Sequence, residues 1–452
     1  MTSGASRLMN RIRLGGVGCA IALATACGDY LTGGELDTNP NQPTTATTAQ
    51  FFVGVQAGTW ALLQSDMVRV TNMWAQQLLG SNLQYVDIYN YGVSEQVTNG
   101  FQAGLYTGGG LVDIRRVESQ ALSAKDTVFH GIALVMEALI MGTGADLFGN
   151  LTYKEALTGE QNPPLDPQMS IYDSVQTLLS RAIVDMQATG PTNVGPASAD
   201  LSYGGDPVLW TKLAHTLKAR FLMHMAKVRP NVYPQVVSEA SKGIASTPEN
   251  YNAVFSGNAN EQNFWYQFAI VQRPGYIAPN PFFVALLQSR NDPRLHTYFN
   301  ADLTDLNDAL LASNATQPLV TVNEDLLLWA EAAQRTGDNT TALAKLNAAR
   351  ALVGLPAEPA SLTGQALLAE ILIEEYIADF QNIESWNLYL RTCTPNLVPV
   401  VAGSIVPARF FYDASERNTN NQIPAPSQQP PRNQNDPAST TSDATGARCL
   451  GQ

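Results

Sequence analysis

The segment 324–352 constrains the fold more than any other part of the chain. It reads as two helical runs, EDLLLWAEAAQRTG and NTTALAKLNAARALVG, punctuated by Gly337-Asp338-Asn339. Apolar residues recur at helical spacing in both runs. Ala330, Ala333, Ala342, Ala344 and Ala348 are small enough to let two helix axes approach closely. A chain with this unit must bury its apolar face against neighbouring helix pairs.

Helical periodicity extends through most of the remaining chain. From Phe51 to Gly80 it runs through Met67, Val70, Met73, Trp74 and Leu78. Further helices are expected over 110–122, 126–147, 170–188, 206–227, 233–245 and 363–391. Ser170 and Asp206 stand where N-caps belong, Pro207 suits a first turn, and Gly149 suits a C-terminal cap. In the last helix Leu368, Leu372, Tyr376 and Phe380 stack at i, i+4. Residues 246–285 carry little helical signal and are rich in Asn and aromatics, so loops and short strands are expected there. Alternating β-type patterns are few. The expected fold is mostly α: a single helical domain over 48–417 on a tetratricopeptide-like helix-pair scaffold, with long loops and little β. Trp60, Trp74, Trp210, Trp329 and Trp386 fall inside helical patterns and are expected in the core.

Charged residues make up only 14% of the 452 residues, and the formal net charge is -13. Binding to a nucleic-acid backbone requires the opposite sign. A surface of Asn, Gln, Thr and Ser suits neutral polar ligands instead. No HExxH, GxSxG, Walker-type loop or Cys/His zinc spacing occurs, and no EF-hand spacing supports Ca²⁺. The expectation is therefore no cofactor and no enzyme, with a structural Ca²⁺ left open. His130, His215, His224 and His296 are scattered, and buried histidines with satisfied hydrogen bonds account for them better than a catalytic site. Arg294 in NDPRL has a sufficient ion-pair reading, and Glu331, Glu374 and Glu375 are not separable from surface charge by sequence.

The N-terminus has Arg7, Arg11 and Arg13, then the apolar run LGGVGCAIALATA, then Cys27. This order describes a secretory signal over 1–26 that ends at a lipid-modified cysteine. Thirteen apolar residues are too few to span a bilayer core of ~30 Å. Ala24 stands where such signals usually carry Leu. On this reading 27–47 is a lipidated cysteine and flexible tether, and the mature chain has 39 acidic against 23 basic residues, or -16. The apolar stretch VFHGIALVMEALIMGTGADLF carries His130, Glu137 and Asp146 and reads as a buried helix. Cys393 and Cys449 either pair or remain free thiols. The Pro-, Asn- and Gln-rich segment 418–452 is expected to be largely disordered.

Ten segments run in a familiar order. They are NPNQPT at 39–44, GLY at 104–106, DLFGNLTYKEAL at 146–157, IYDSVQTLLSRAI at 171–183, DLSYGGDPVLWTKLAHTLKARFLM at 200–223, NDPRL at 291–295, LLWAEAAQRTGD at 327–338, LNAAR at 346–350, IESWNLYLRT at 383–392 and IVPARFFYDASERNTN at 405–420. Together they resemble the SusD/RagB family of outer-membrane nutrient-binding lipoproteins, in its SusD-like branch. Two departures are local: Gln381-Asn382 stands where the family often has Glu-Gly, and Leu390-Arg391 stands near where it often has a pair of arginines. The resemblance implies a non-catalytic, surface-exposed, lipid-anchored outer-membrane protein. It implies a partner, a SusC-like TonB-dependent β-barrel transporter, to which oligosaccharide is delivered. A peptide or other polymer cargo, or a helical-repeat scaffold in the periplasm, is the alternative.

Sugar rings present a C–H face that stacks on aromatics, while amides and carboxylates take the hydroxyls. Two segments offer that combination. One is Tyr85, Asp87, Tyr89, Asn90 and Tyr91, whose alternation would place Tyr85, Asp87, Tyr89 and Tyr91 on one face of an extended strand. The other is Asn263, Trp265, Tyr266, Arg273 and Tyr276. Both fall where the resemblance places the ligand site, early in the chain and in its middle loops.

Overall fold

In the computed structural model, residues 46–98 and 100–437 are described, and from Thr48 onward they belong to one compact unit. Cys27, the signal segment and nearly all of the tether lie outside the described residues, as does Cys449. Cys393 is disulfide-bonded.

The helices α1 (Thr48–Gln64), α2 (Asp66–Trp74), α3 (Gln84–Tyr89), α4 (Ala103–Tyr106), α5 (Leu111–Ala124) and α6 (Thr127–Phe148) build the N-terminal half. The helices α7 (Gln168–Asp185), α8 (Pro207–His224) and α9 (Tyr233–Ala240) follow. After the loop-rich middle come α10 (Pro281–Ser289), α11 (Leu295–Tyr298), α12 (Val322–Arg335), α13 (Asn339–Leu352), α14 (Gly364–Ala378), α15 (Glu384–Thr392) and α16 (Ala414–Thr419). Neighbours in sequence pack in series: α5 on α6, α6 on α7, α7 on α8, α8 on α9 and α9 on α12, with α13 and α14 closing on α12. This stacked helix-pair arrangement is the expected scaffold, and α12–α13 is the expected hairpin.

Helix α6 is apolar on all sides because it is covered on all sides. Asp126 caps it, its carboxylate accepting from the Phe129 amide at 2.9 Å. By length and composition it could cross a membrane, yet it is almost wholly buried within the protein. Gly142 lets α8 approach, since a Cβ there would sit 2.3 Å from the Phe221 ring.

The C-terminal end of α6 shows why the tail reading needs correction. The last four carbonyls of a helix have no partner within it. Here Ala145 already accepts from the Gly149 amide at 3.0 Å, and it and the three carbonyls after it each receive a donor from elsewhere. Gln168 Nε2 donates to the Ala145 carbonyl at 2.8 Å, and Asn433 Nδ2 to that of Asp146 at 2.7 Å. The Phe410 amide donates to Leu147 at 2.8 Å, and Arg409 Nη2 to Phe148 at 2.7 Å. Asn435 likewise reaches the His224 carbonyl at the end of α8 at 3.2 Å. Residues 418–437 are therefore ordered rather than disordered: their amides are spent on helix ends. Residues 438–452 lie outside the described residues.

Other expectations also shift. The run 51–80 breaks at Ser65 into α1 and α2, then becomes the strand β1 (Leu78–Gly80). The helix expected over 363–391 splits into α14 and α15, with Gln381 at φ +61° between them. Ser170 lies inside α7, whose N-cap position is Pro167. Asp206 caps α8 as expected, through the Val208 amide at 2.8 Å, and Gly149 takes φ +77°.

A buried ionic spine joins the helices. His224 on α8 bonds Asp146 of α6 through Nδ1 and Glu384 of α15 through Nε2, both at 2.7 Å. Arg220, one turn earlier, grips Glu324 of α12 at 2.5 and 2.6 Å. Glu331 lies between Arg335 and Arg391 at 2.6 and 2.5 Å. Burial alone would strip the proton from His224, but the Asp146 and Glu384 carboxylates outweigh it and push its pKa up to about 10. Burial would likewise raise Glu384, but His224 and Arg220 hold it down at about 2. Asp146 stays above the usual carboxylate range because burial dominates there.

Two outcomes are expected. Replacing His224 with Gln leaves two buried carboxylates without their cation and lowers unfolding free energy by about 3–5 kcal/mol. The loss has a pH signature. A raised histidine contributes fully below its unfolded value of 6.5 and fades as pH climbs through about 10. A depressed carboxylate contributes above 4.5 and fades as pH falls toward about 2. The parent-minus-variant difference in Tm should therefore be widest between pH 4.5 and 6.5 and narrow toward pH 10. Separately, Asn433→Ala orphans a buried carbonyl and should cost about 1–3 kcal/mol in urea melts at unchanged m-value.

Candidate functional site

Two short antiparallel sheets hold the loops. The strand β1 pairs with β3 (Ile277–Pro279) in the register Leu78↔Pro279, Leu79↔Ala278, Gly80↔Ile277. The strand β2 (Tyr251–Ala253) pairs with β4 (Gln317–Val320). The first pairing joins the two segments singled out above, because β1 leads into α3 and β3 follows Arg273 and Tyr276. Gly80 is required here: a Cβ would lie 1.9 Å from the Tyr85 carbonyl oxygen.

A cavity of about 370 Å³ opens at this junction, lined by Asp66, Gln84, Tyr85, Asp87, Gln96, Phe101 and Arg273 among others. Its floor is organised by Asp66. One oxygen of that carboxylate accepts from Tyr85 Oη at 2.6 Å and from Arg69 Nη2 at 2.7 Å. Burial would raise the Asp66 pKa, but Arg69 and the Tyr85 hydroxyl outweigh it and hold the carboxyl below its usual value. Burial pushes the Tyr85 phenol up, so it stays a donor. The Arg69 guanidinium covers the Phe268 ring at 4.1 Å, and Arg273 covers Tyr276 at 5.3 Å. Tyr85 packs against Phe268 and Tyr276 at 5.1 and 6.0 Å. The side chains of Asp87 and Arg273 line the cavity and make no hydrogen bond or ion pair among the described residues, although the Arg273 charge helps to hold Asp66 down. They are a carboxylate and a guanidinium left available for a ligand.

The expected site residues separate into those brought together and those not. Tyr85, Asp87 and Arg273 meet in the cavity, with Tyr276 behind them. The strand reading of Tyr85–Tyr91 is corrected: residues 84–89 are helical, so alternating side chains point about 200° apart. Tyr85 faces inward, Asp87 outward, and Tyr89 is half-buried, its hydroxyl accepting from Asn280 Nδ2 at 3.1 Å. Asn90 is exposed past the end of α3, outside the cavity lining. Tyr91 turns to a different cavity, its hydroxyl accepting from the Val400 amide at 3.1 Å.

In the second segment Trp265 is fully buried and donates through Nε1 to Gln64 at 2.9 Å, so it offers no ring face to a ligand. Asn263 is also buried, capping the turn at Trp265 and Tyr266 and donating to the Ala315 carbonyl at 2.8 Å. Tyr266 is half-buried and outside the lining. Sequence reasoning missed Asp66, Gln84, Gln96 and Phe101. Gln84, Gln96 and Phe101 belong to the same amide-and-aromatic stretch, a usable signal, whereas Asp66 looks like any first-turn acid.

Of the tryptophans placed in the core, Trp60, Trp74, Trp210 and Trp386 are buried, while Trp329 is partly so. Buried His130 pairs with Asp185 at 2.7 Å and half-buried His215 with Glu239 at 2.6 Å, so both are satisfied. Asp146, His224 and Glu384 have the composition of a metal site. The two carboxylates, however, occupy opposite edges of one imidazole, so a single ion cannot take both ring nitrogens, and the set fits an internal ion network.

The family model described as "starch-binding associating with outer membrane", for SusD-like proteins, matches residues 40–314, more than half of the chain. The chain belongs to the SusD-like family. Solved structures of SusD-like proteins share its fold at low identity. A SusD/RagB family protein from Bacteroides thetaiotaomicron is 19% identical at TM-score 0.68, over 84% of this chain and 95% of that one. A chitin-binding SusD homologue from Flavobacterium johnsoniae is 16% identical at TM-score 0.66, over 86% and 99%. A SusD homologue from Bacteroides vulgatus is 17% identical at TM-score 0.67, over 86% and 98%. No curated protein matches this SusD-like chain.

One expected outcome follows from the placement of Trp265. Trp265→Ala should lower unfolding free energy by about 3–5 kcal/mol, as for a core tryptophan, measured by chemical denaturation. A variant of unchanged stability would return Trp265 to the surface role first expected of it.

Proposed function

We propose that this protein binds oligosaccharide at the cavity between α3 and the loop carrying Arg273, and hands it to an outer-membrane transporter without chemical turnover. The observation that carries this reading is the unspent pair, Asp87 and Arg273, on the wall of a concave site with Phe101, Gln84 and Gln96 beside them. Carboxylates and guanidinium groups pair with sugar hydroxyls, and an aromatic ring face takes the C–H face. A volume of about 370 Å³ is within the usual range for small-ligand pockets. The family's description as starch-binding and outer-membrane-associated supports the same role, as does the chitin binding stated for one structural neighbour.

The anchor in this proposal is acylated Cys27, and the partner is a SusC-like TonB-dependent barrel. Binding to a membrane is through lipid alone, and release from the site is the barrel's part of the process.

The test is affinity electrophoresis through gels cast with a panel of polysaccharides, with a reducing-end assay run on the same mixtures. Retardation by one glycan without new reducing ends is expected. Asp87→Ala and Arg273→Ala should abolish retardation. Asp87→Ala should stay within about 0.5 kcal/mol of the parent in stability, and Arg273→Ala should lose only the stack on Tyr276, about 0.5–1 kcal/mol. Appearance of reducing ends would make the protein a hydrolase. Retardation unchanged in both variants would move the site elsewhere.

A further inference from the structure

The short stretch 91–93 is a wall between two cavities. Gly92 lines the one described above, while Tyr91 and Val93 line a second of about 580 Å³. Its remaining walls come from the C-terminal part of the chain and include Ser404, Phe411, Gln429, Pro430 and Arg409.

Arg409 is unlike the other buried arginines. Arg69, Arg220, Arg294 and Arg350 are each at least 95% buried, and each has a carboxylate within 2.8 Å: Asp66, Glu324, Asp292 and Glu358 respectively. Arg409 is 8% exposed and has no carboxylate partner among the described residues. Its donors reach only neutral oxygens: the Phe148 carbonyl at 2.7 Å, the Pro430 carbonyl at 3.3 Å and Gln429 Oε1 at 3.5 Å. Its Nε is buried without any partner. The guanidinium also lies over the Tyr412 ring at 4.9 Å.

Capping α6 accounts for one donor and for part of the charge. A helix C-terminus carries roughly half a negative charge. Burying a full cation costs several kcal/mol even after relaxation, so the rest of the charge is uncompensated. Guanidinium remains protonated at any physiological pH. The groups beside it are the tyrosine and phenylalanine rings, proline rings and an amide, a setting that accepts a C–H-rich body bearing one oxyanion.

We propose that this second cavity binds an acidic sugar residue, its carboxylate seated on Arg409 and its ring against Tyr91 and Phe411. The proposal rests on the glycan reading above and extends it: neutral residues occupy the first cavity, and a carboxylated one occupies the second. The net charge of -13 repels anions at long range, so selectivity must come from the local contact.

The experiment compares one otherwise neutral oligosaccharide carrying a single uronic acid residue with its carboxyl-reduced, fully neutral counterpart by titration calorimetry on the purified full chain. The parent should bind the acidic form at least tenfold more tightly. Arg409→Gln should bring the two affinities within twofold of each other. Because Arg409 also holds α6, Ser404→Trp serves as a second variant that fills the cavity mouth and leaves the arginine in place. It should remove the same preference, with the Tm of each variant checked alongside. Asp87→Ala should weaken both sugars and keep their ratio. Equal affinities in the parent, lost in Asp87→Ala, would overturn this proposal and leave the first cavity's role standing. A preference that survives both Arg409→Gln and Ser404→Trp would also overturn it. So would binding of a short peptide with a free C-terminal carboxylate but of neither saccharide, which would overturn the glycan reading as well.

Discussion

The two hydrogen bonds of His224 hold together elements that are far apart in the chain. Asp146 ends α6, His224 ends α8, and Glu384 begins α15. A protonated imidazole between two carboxylates fixes the mutual rotation of those three helices, because both ring nitrogens are committed. Arg220, sharing the face of α8, extends the tie to α12. Apolar packing alone would leave such stacked helices free to slide by small amounts. Charged hydrogen bonds in a dry interior are directional and costly to leave unmade, so they select one register.

The same end of α6 organises the C-terminal segment. The carbonyls of Asp146, Leu147 and Phe148, with no partner inside the helix, collect Asn433, Phe410 and Arg409, and so bring residues 405–437 back across the helix ends. That return path builds most of the second cavity. It also places Arg409 where one face meets a helix end and another borders open space. On the opposite side of residues 91–93, the three-residue pairing of β1 with β3 positions α3 against the loop of Arg273. Both cavities therefore depend on connections that look slight in the sequence: a strand pair of three residues and a set of helix-end hydrogen bonds.

The helices were legible from apolar spacing, and boundaries such as Asp126–Thr127 and Asp206–Pro207 were marked by caps. Their breaks were less so: nothing in IEEYIADFQNIES at 373–385 signals that Gln381 takes a left-handed conformation, since the penalty for it is met by Asn72 accepting the Gln381 amide at 2.9 Å from another helix. The site was half legible. Tyr85, Asp87 and Arg273 were named from residue type, and they meet. Trp265 and Asn263 were named on the same grounds and lie in the interior. Aromatic and amide groups serve a buried turn as well as they serve a sugar, and local sequence carries no measure of burial.

The chain by itself determined the helical class, the order of its helix pairs, its acidic net charge, and the family to which it belongs. These follow from periodicity, composition and motif order, all of which are local. Tertiary structure alone decided which polar groups were spent and which remained available. Glu331, Glu374 and Arg220 disappear into ion pairs, while the side chains of Asp87, Arg273 and Arg409 line cavities without one among the described residues. A side chain's partner is set by residues tens to hundreds of positions away, and binding capacity is what remains once the fold has taken the partners it needs.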